Sequence, residues 1–437
     1  MRPRGPPRGP PEQTRRRGAR LVELVVDILG AQGDGIAQWG ELPVYLPFSV
    51  PGDRVRAEIG APRGGGFEAR VVERLAAGPG RVAPACRHFT RCGGCALQHL
   101  GADDYRAAKL GALTAALARV GIDLAAVAPL QVVAPYRRRT RLGLARPRQP
   151  GAPVTVGFRG RFRHSLVDLA ECAVLEPRLF ALVAPLRQVA ATLLAPGATA
   201  EAMLTRCDSG IDLLLEAAVA PSLTALEALA EFAAVHDLAR IVWRSGRGDG
   251  IPVVERRPAR VTFSGVAVAL PPGGFLQASD AAEALLVREV VAGVGARRPV
   301  LDLYAGLGTF TFALAQAGPV HAVEGAAAAV VALSAAARAT PAVSVARRDL
   351  DRDPLAGPEL AGYAAAVFDP PRAGARRQVE AVAASAIATV VAVSCNPATF
   401  ARDAAALVAG GFRLDRVVPI DQFVWTPHLE LVATFRR

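Results

Sequence analysis

Short apolar runs alternate with alanine-rich stretches from Pro299 to the C-terminus, and few architectures accept that rhythm. Val300–Leu303, Val320–Val323, Val343–Val345, Ala364–Phe368 and Thr389–Val393 are strand-length and largely apolar, as strands buried on both faces must be. The stretches between them are rich in alanine and read as helices. Strands joined through helices run parallel, so the pattern predicts a doubly wound α/β sheet. Leu414–Ile420 and His428–Phe435 read as an antiparallel hairpin closing one edge.

Upstream the pattern changes twice. Residues 21–75 carry short alternating runs, among them Leu21–Val26, Val44–Leu46, Val55–Ile59 and Arg70–Leu75. Turn signals stand at Gly33-Asp34-Gly35 and Pro51-Gly52-Asp53. Several short strands in so small a segment predict a β-barrel of the oligonucleotide-binding type. Asp103–Val120 has the spacing of an amphipathic helix, and strand-like pieces then mix with helices such as Leu223–His236 up to about Arg260. A chain of 437 residues suggests about three domains. The expected divisions are a tail at 1–20, the barrel at 21–76, a cysteine loop with a central α+β domain at 77–265, and the α/β domain at 266–437.

The formal net charge is +12, and its distribution says more than its size. Residues 1–20 hold seven arginines and five prolines against the single acid Glu12, a composition that cannot pack a core and reads as a disordered basic tail. Between Gln131 and Ser165 stand nine arginines and no Asp or Glu: Arg137, Arg138, Arg139, Arg141, Arg146, Arg148, Arg159, Arg161 and Arg163. Guanidinium forks match phosphates and stack on bases, so a nucleic-acid partner is expected rather than a merely solvated surface. Glu23 and Asp27 interrupt Leu21–Leu29 where a signal peptide needs unbroken apolar residues, and no apolar run is long enough to cross a bilayer. A cytoplasmic monomer without a membrane partner is the expectation.

Chemistry gathers where the last strands end. Ser394-Cys395-Asn396-Pro397 puts a thiol after the Thr389–Val393 run, and open α/β sheets bind ligands at the carboxyl ends of their strands. A lone cysteine beside an apolar run is ordinarily a buried structural residue. Its neighbours make the case for a nucleophile. Asp369-Pro370-Pro371-Arg372 ends the preceding strand, and two prolines hold a carboxylate on a stiff, extended turn. Tyr304-Ala305-Gly306-Leu307-Gly308 follows the first strand, its glycines letting a ligand approach the backbone and the helix start. The full dinucleotide fingerprint is missing, which favours a compact nucleoside over a pyrophosphate. Glu324 ends the second strand, where an acid can take both ribose hydroxyls. Together these features resemble the class I S-adenosylmethionine methyltransferase fold.

Cys86, Cys92 and Cys95 share one loop with Gly93 and Gly94, and Cys172 is the best fourth ligand for a metal. Zinc and an iron–sulfur cluster both accept four thiolates, and the spacing leaves both open. Cys207 has no evident role.

With these motifs in place the chain resembles the uracil-5 RNA methyltransferases that act on ribosomal and transfer RNA, and most narrowly the bacterial 23S ribosomal RNA branch. The resemblance runs from residue 21 to the end and implies a TRAM-like barrel over 21–76. It implies a [4Fe-4S] cluster on Cys86, Cys92, Cys95 and Cys172. It also implies S-adenosylmethionine contacts at Gln277, in Phe275-Leu276-Gln277, and at Tyr304, Glu324 and Asp369, with Thr309 and Asp349 as further candidates. Cys395 is then the nucleophile and Glu430, in His428-Leu429-Glu430, the general base. The expected substrate is RNA, 23S ribosomal RNA ahead of transfer RNA. The chain departs from the family pattern at Ser279, Ala305 and Val424-Trp425, positions outside the nucleophile, base and cysteine set. A nucleobase amino methyltransferase would share Asp-Pro-Pro but needs no cysteine nucleophile. A non-catalytic RNA-binding protein has no use for Cys395, Glu430 and Gln277 together.

Overall fold

The computed structural model describes residues 20–161, 165–246, 248 and 250–437. The expected basic tail lies outside the described residues apart from Arg20, as does Arg163 of the arginine cluster. The chain divides at Arg81.

In the first unit Leu21–Leu29, Gly35–Trp39, Leu42–Leu46, Arg54–Arg63 and Gly66–Ala76 close into a barrel. Alternation decides which side chains turn inward: Leu24 and Val26 are buried, whereas Val25 between them is 53% exposed. The turn read at Pro51-Gly52-Asp53 is a built joint. Gly52 adopts φ 83°, and buried Asp53 accepts the N–H groups of Val50 at 3.0 Å and Gly78 at 2.9 Å. Burial works against the Asp53 charge, but Arg81 and those two donors outweigh it and hold the carboxyl below its ordinary range.

The second unit contains two large sheets. Among the described residues, seven strands from Arg139–Ala145 to Ile251–Glu255 form the central sheet, with the helix Leu223–Val235 packed on it. Ser222 caps that helix by accepting the N–H of Ala225 at 3.2 Å.

The C-terminal sheet has eight strands among the described residues, in the order Val343–Arg347, Val320–Glu324, Val300–Leu303, Ala365–Phe368, Thr389–Ser394, Glu430–Arg436, Arg413–Asp421, Gln131–Val132. The first five run parallel, as their largely apolar runs predict. The hairpin differs from the expectation in placement. Glu430–Arg436 lies against Thr389–Ser394, Arg413–Asp421 lies outside it, and Gln131–Val132 forms the edge. The chain thus leaves this sheet after Val132, builds the central sheet, and returns at Val300. Strand order reverses between Val300–Leu303 and Ala365–Phe368, which opens a crevice at their carboxyl ends.

The helix Ala102–Arg119 carries one surprise. Lys109 is fully buried, paired with buried Asp421 and donating to the carbonyls of Phe423 at 3.0 Å and His428 at 2.7 Å. Tyr105 from the same helix donates to Asp421 and accepts the N–H of Trp425 at 2.9 Å. The loop from Asp421 to His428 is therefore gripped at several points.

Candidate active site

Four neighbouring strands end in the same layer, and each delivers one predicted site residue. Tyr304 follows Leu303, Glu324 closes its strand, Asp369 follows Phe368 and Cys395 follows Ser394. In-register pairing of Leu303 with both Val323 and Phe368, and of Phe368 with Ala392, sets these ends side by side.

On the glycine-loop side the backbone turns sharply. Tyr304, Gly306 and Gly308 take φ of 58°, 57° and 95°. A Cβ on Gly308 would lie 2.5 Å from the Phe312 ring, so the loop can fold onto its helix only without one. Glu324 fastens the loop by accepting Gly306 N–H at 2.9 Å and Ala326 N–H at 2.7 Å. Tyr304 donates its hydroxyl to Asp351 at 2.9 Å. Asp349 is occupied with its own turn, accepting from Asp351 N–H at 3.2 Å. Asp302, which no motif marked, is buried beneath the loop, and burial pushes its carboxyl up to about 7, with Asp369 and Glu324 adding to the effect.

Gln277, Asp369 and Glu430 lie far apart in sequence and meet in one buried chain of hydrogen bonds. Gln277 Nε2 donates to Asp369 Oδ2 at 3.1 Å. Gln422 Nε2 donates to Gln277 Oε1 at 3.0 Å and to Glu430 Oε2 at 2.7 Å. Burial raises the Asp369 carboxyl to about 7, and burial together with the Asp369 charge raises Glu430 well above the carboxylate range. Glu430 Oε1 is buried with no hydrogen-bond partner among the described residues. A buried carboxylate oxygen with an uncommitted lone pair can accept a proton.

The Ser-Cys-Asn-Pro segment folds as its composition dictates. Ser394 ends the strand, Asn396 caps the helix Pro397–Ala409 by accepting Ala398 N–H at 3.1 Å, and Pro397 takes the first helical position. Asn396 Nδ2 also donates to the Arg372 carbonyl at 3.0 Å, which stitches this segment to Asp-Pro-Pro-Arg. Cys395 is held between them. Burial raises its thiol to about 11, Glu430 and Asp369 add to that, and Arg372 opposes it. The Arg372 guanidinium also lies 3.4 Å from His428 Nδ1. Burial first, then Arg372, Lys109 and Arg137, bring His428 down to about 4, so it is neutral near pH 7.

The four predicted metal-binding cysteines come together only in part. Cys86, Cys92, Cys95 and Cys172 line one pocket with Phe89, Phe158 and Leu169. No group of three or more His, Cys, Asp or Glu side chains among the described residues is arranged to hold a metal ion. Burial raises the thiols of Cys86, Cys92 and Cys95, and the nearby Cys172 adds to each.

The arginine cluster is largely engaged within the protein. Arg138 pairs with Asp280 and Glu283, Arg141 with Glu201 and Glu216, and Arg159 with Glu201. Arg146 donates to the carbonyls of Ala191 and Leu194. The segment holds no acid of its own, and the fold brings carboxylates from other elements to several of its arginines.

Nothing in the sequence marked Gln422, Lys109 or Asp302. The only local signal was polarity at positions that tertiary packing buries.

Comparisons with known proteins converge. Residues 273–437 match the family model described as tRNA (Uracil-5-)-methyltransferase. A protein of Caulobacter vibrioides named as an uncharacterized RNA methyltransferase is 40% identical over 429 residues, covering 95% of this chain and 100% of that protein. The 23S rRNA (uracil(1939)-C(5))-methyltransferase RlmD of Chromohalobacter salexigens is 36% identical over 439 residues, 97% of this chain and 91% of that one. The crystal structure of the Pyrococcus abyssi tRNA (uracil-54, C5)-methyltransferase in complex with S-adenosyl-L-homocysteine shares the fold, with a TM-score of 0.72, 24% identity, and coverage of 95% of this chain and 100% of that one.

Proposed function

The chain belongs to the family of RNA uracil-5 methyltransferases, and from that premise we propose that it methylates C5 of a uridine through a covalent adduct at Cys395. S-adenosylmethionine supplies an electrophilic methyl group on a sulfonium. C5 of uracil is too poor a nucleophile to take that methyl unaided. Addition of the Cys395 thiolate to C6 turns the C5–C6 π pair into an enolate, and C5 then displaces the thioether. Glu430 removes the proton from C5, the C–H electrons restore the C5–C6 double bond, and the C6–S bond breaks to release Cys395. The observation that carries the reading is the meeting of Cys395, Glu430 and Asp369 at the ends of adjacent strands, with Glu430 Oε1 unpartnered among the described residues.

Tyr304, Glu324, Gln277 and Asp369 are the residues proposed to hold the methyl donor. The target base must leave its stack to reach Cys395, so single-stranded or loop RNA is the expected form. Identity to a named 23S ribosomal RNA enzyme over nearly its whole length favours ribosomal RNA over transfer RNA. Mapping 5-methyluridine in RNA from a deletion strain tests this: loss at one 23S site supports it, and loss in transfer RNA alone would overturn it. The proposed division of labour assigns 21–76 and 77–265 to RNA binding and 266–437 to chemistry.

A cationic donor changes the charge balance of the crevice. In the ligand-free protein a thiol near 11 is almost wholly protonated at pH 7. Positive charge nearby favours the thiolate and so moves the titration to lower pH. Alkylation of the Cys395 peptide, followed by mass spectrometry, should rise toward pH 11 in free protein. It should shift downward with S-adenosylmethionine and shift less with uncharged-sulfur S-adenosylhomocysteine. Equal shifts would contradict the electrostatic account.

Cys86, Cys92, Cys95 and Cys172 are proposed to bind a [4Fe-4S] cluster. Four thiols without a disulfide line one pocket, and burial with the neighbouring Cys172 raises the cost of ionising Cys86, Cys92 and Cys95, which a bound cationic centre would reverse. Such a group would tie the 86–95 loop to Cys172; the reaction itself needs no electron. Cys172→Ser should lower iron and sulfide per chain and bleach a brown protein. A colourless protein carrying zinc would refute the cluster.

A further inference from the structure

Gln422 is buried, lies one residue beyond the strand Arg413–Asp421, and touches both halves of the site. An amide side chain can face either way, so its direction needs an anchor that cannot reverse. Ala278 provides one. Its backbone N–H can only donate, and it meets Gln422 Oε1 at 3.1 Å. The opposite end of Gln422 is therefore the NH2 group, which donates to Glu430 Oε2 and to Gln277 Oε1. Gln277 in turn must present its own NH2 group to Asp369. One backbone hydrogen fixes the polarity of the whole chain.

This polarity has a consequence for the base. With Oε2 committed to Gln422, the lone pairs free for chemistry are those of the unpartnered Oε1. Asp421 and Phe423, on either side of Gln422, are held by Lys109, so the amide is presented on a backbone that cannot easily retreat.

We infer that Gln422 is a positioning residue for proton removal, one that locks Glu430 with Oε1 toward the C5 proton and ties that orientation to Gln277 and Asp369. The inference rests on the proposed adduct mechanism. Gln422 touches neither the uracil ring nor the methyl group in this role; it sets the geometry of the group that takes the C5 proton. Without it Glu430 can rotate, the C5–H bond breaks slowly, and the C6–S bond of the adduct persists.

The test uses the full-length enzyme with Gln422→Leu and Gln422→Met, the second keeping an unbranched chain in case the first misfolds. Turnover should fall about 10- to 100-fold, as small misplacements of a catalytic group do. The KM for RNA should stay near the parent value, and a covalent protein–RNA band should accumulate on denaturing gels. Glu430→Gln is run alongside. A band with Glu430→Gln but none with the Gln422 variants overturns the inference and leaves the mechanism standing. Unchanged turnover in the Gln422 variants does the same. No band with Glu430→Gln overturns the base assignment, and the inference falls with it.

Discussion

Replacing Cys395 with alanine should eliminate 5-methyluridine formation and every covalent protein–RNA complex. Loss of a catalytic nucleophile elsewhere costs on the order of 10⁶-fold in turnover, and here the uncatalysed attack of C5 is negligible. The fold should survive. Ser394 and Asn396 make the local hydrogen bonds, and the preceding strand pairs through its backbone on both sides. Deleting one partly exposed sulfur removes little packing. Liquid chromatography of digested RNA, with a melting curve on the same sample, separates lost chemistry from lost structure. Methylation at more than trace levels in a folded Cys395→Ala protein is incompatible with the proposed adduct.

Glu430→Gln should have the opposite signature, with little product and abundant adduct. The amide has nearly the volume of the carboxyl, and its oxygen can still accept from Gln422. What it loses is the lone-pair basicity of Oε1. A positioned general base contributes about 10²–10⁴-fold, so release should slow by that factor while addition and methyl transfer proceed. Removing a buried acid that burial already disfavours as an anion should not destabilise the fold. A time course on denaturing gels reads the effect: the shifted band should build up and decay slowly. Rapid turnover without the band would show that another group takes the proton.

Much of the candidate site was legible because its residues lie at strand ends. The apolar runs located the strands, and Cys395, Asp369, Tyr304 and Glu324 follow from where those runs stop. The glycines at 306 and 308 were readable because only glycine suits such turns. Most supporting residues were not. Gln277 was legible through its Phe275-Leu276-Gln277 motif, but its partner Gln422 lies 145 residues away, and nothing local tells a buried bridging amide from a surface one. Lys109 sits in a helix whose sequence would place it on a solvated face, yet Asp421 and two carbonyls draw it inside. The partners of the arginines were hidden for the same reason: Glu201, Glu216, Asp280 and Glu283 reach them only through tertiary structure. The short edge strand Gln131–Val132 exists because Arg413–Asp421 offers it an unpaired edge, which no periodicity in two residues can announce.

The central claim is that Cys395 bonds to C6 of the target uracil. Fluorine at C5 cannot leave as a proton does, so 5-fluorouridine RNA should halt the reaction after methyl transfer with the sulfur still attached. The enzyme should be incubated with such RNA and S-adenosylmethionine, digested, and analysed by tandem mass spectrometry. The account predicts a methylated fluorinated nucleotide on the peptide containing Cys395. A nucleotide on any other residue, or methylated RNA with no protein attached, would contradict it.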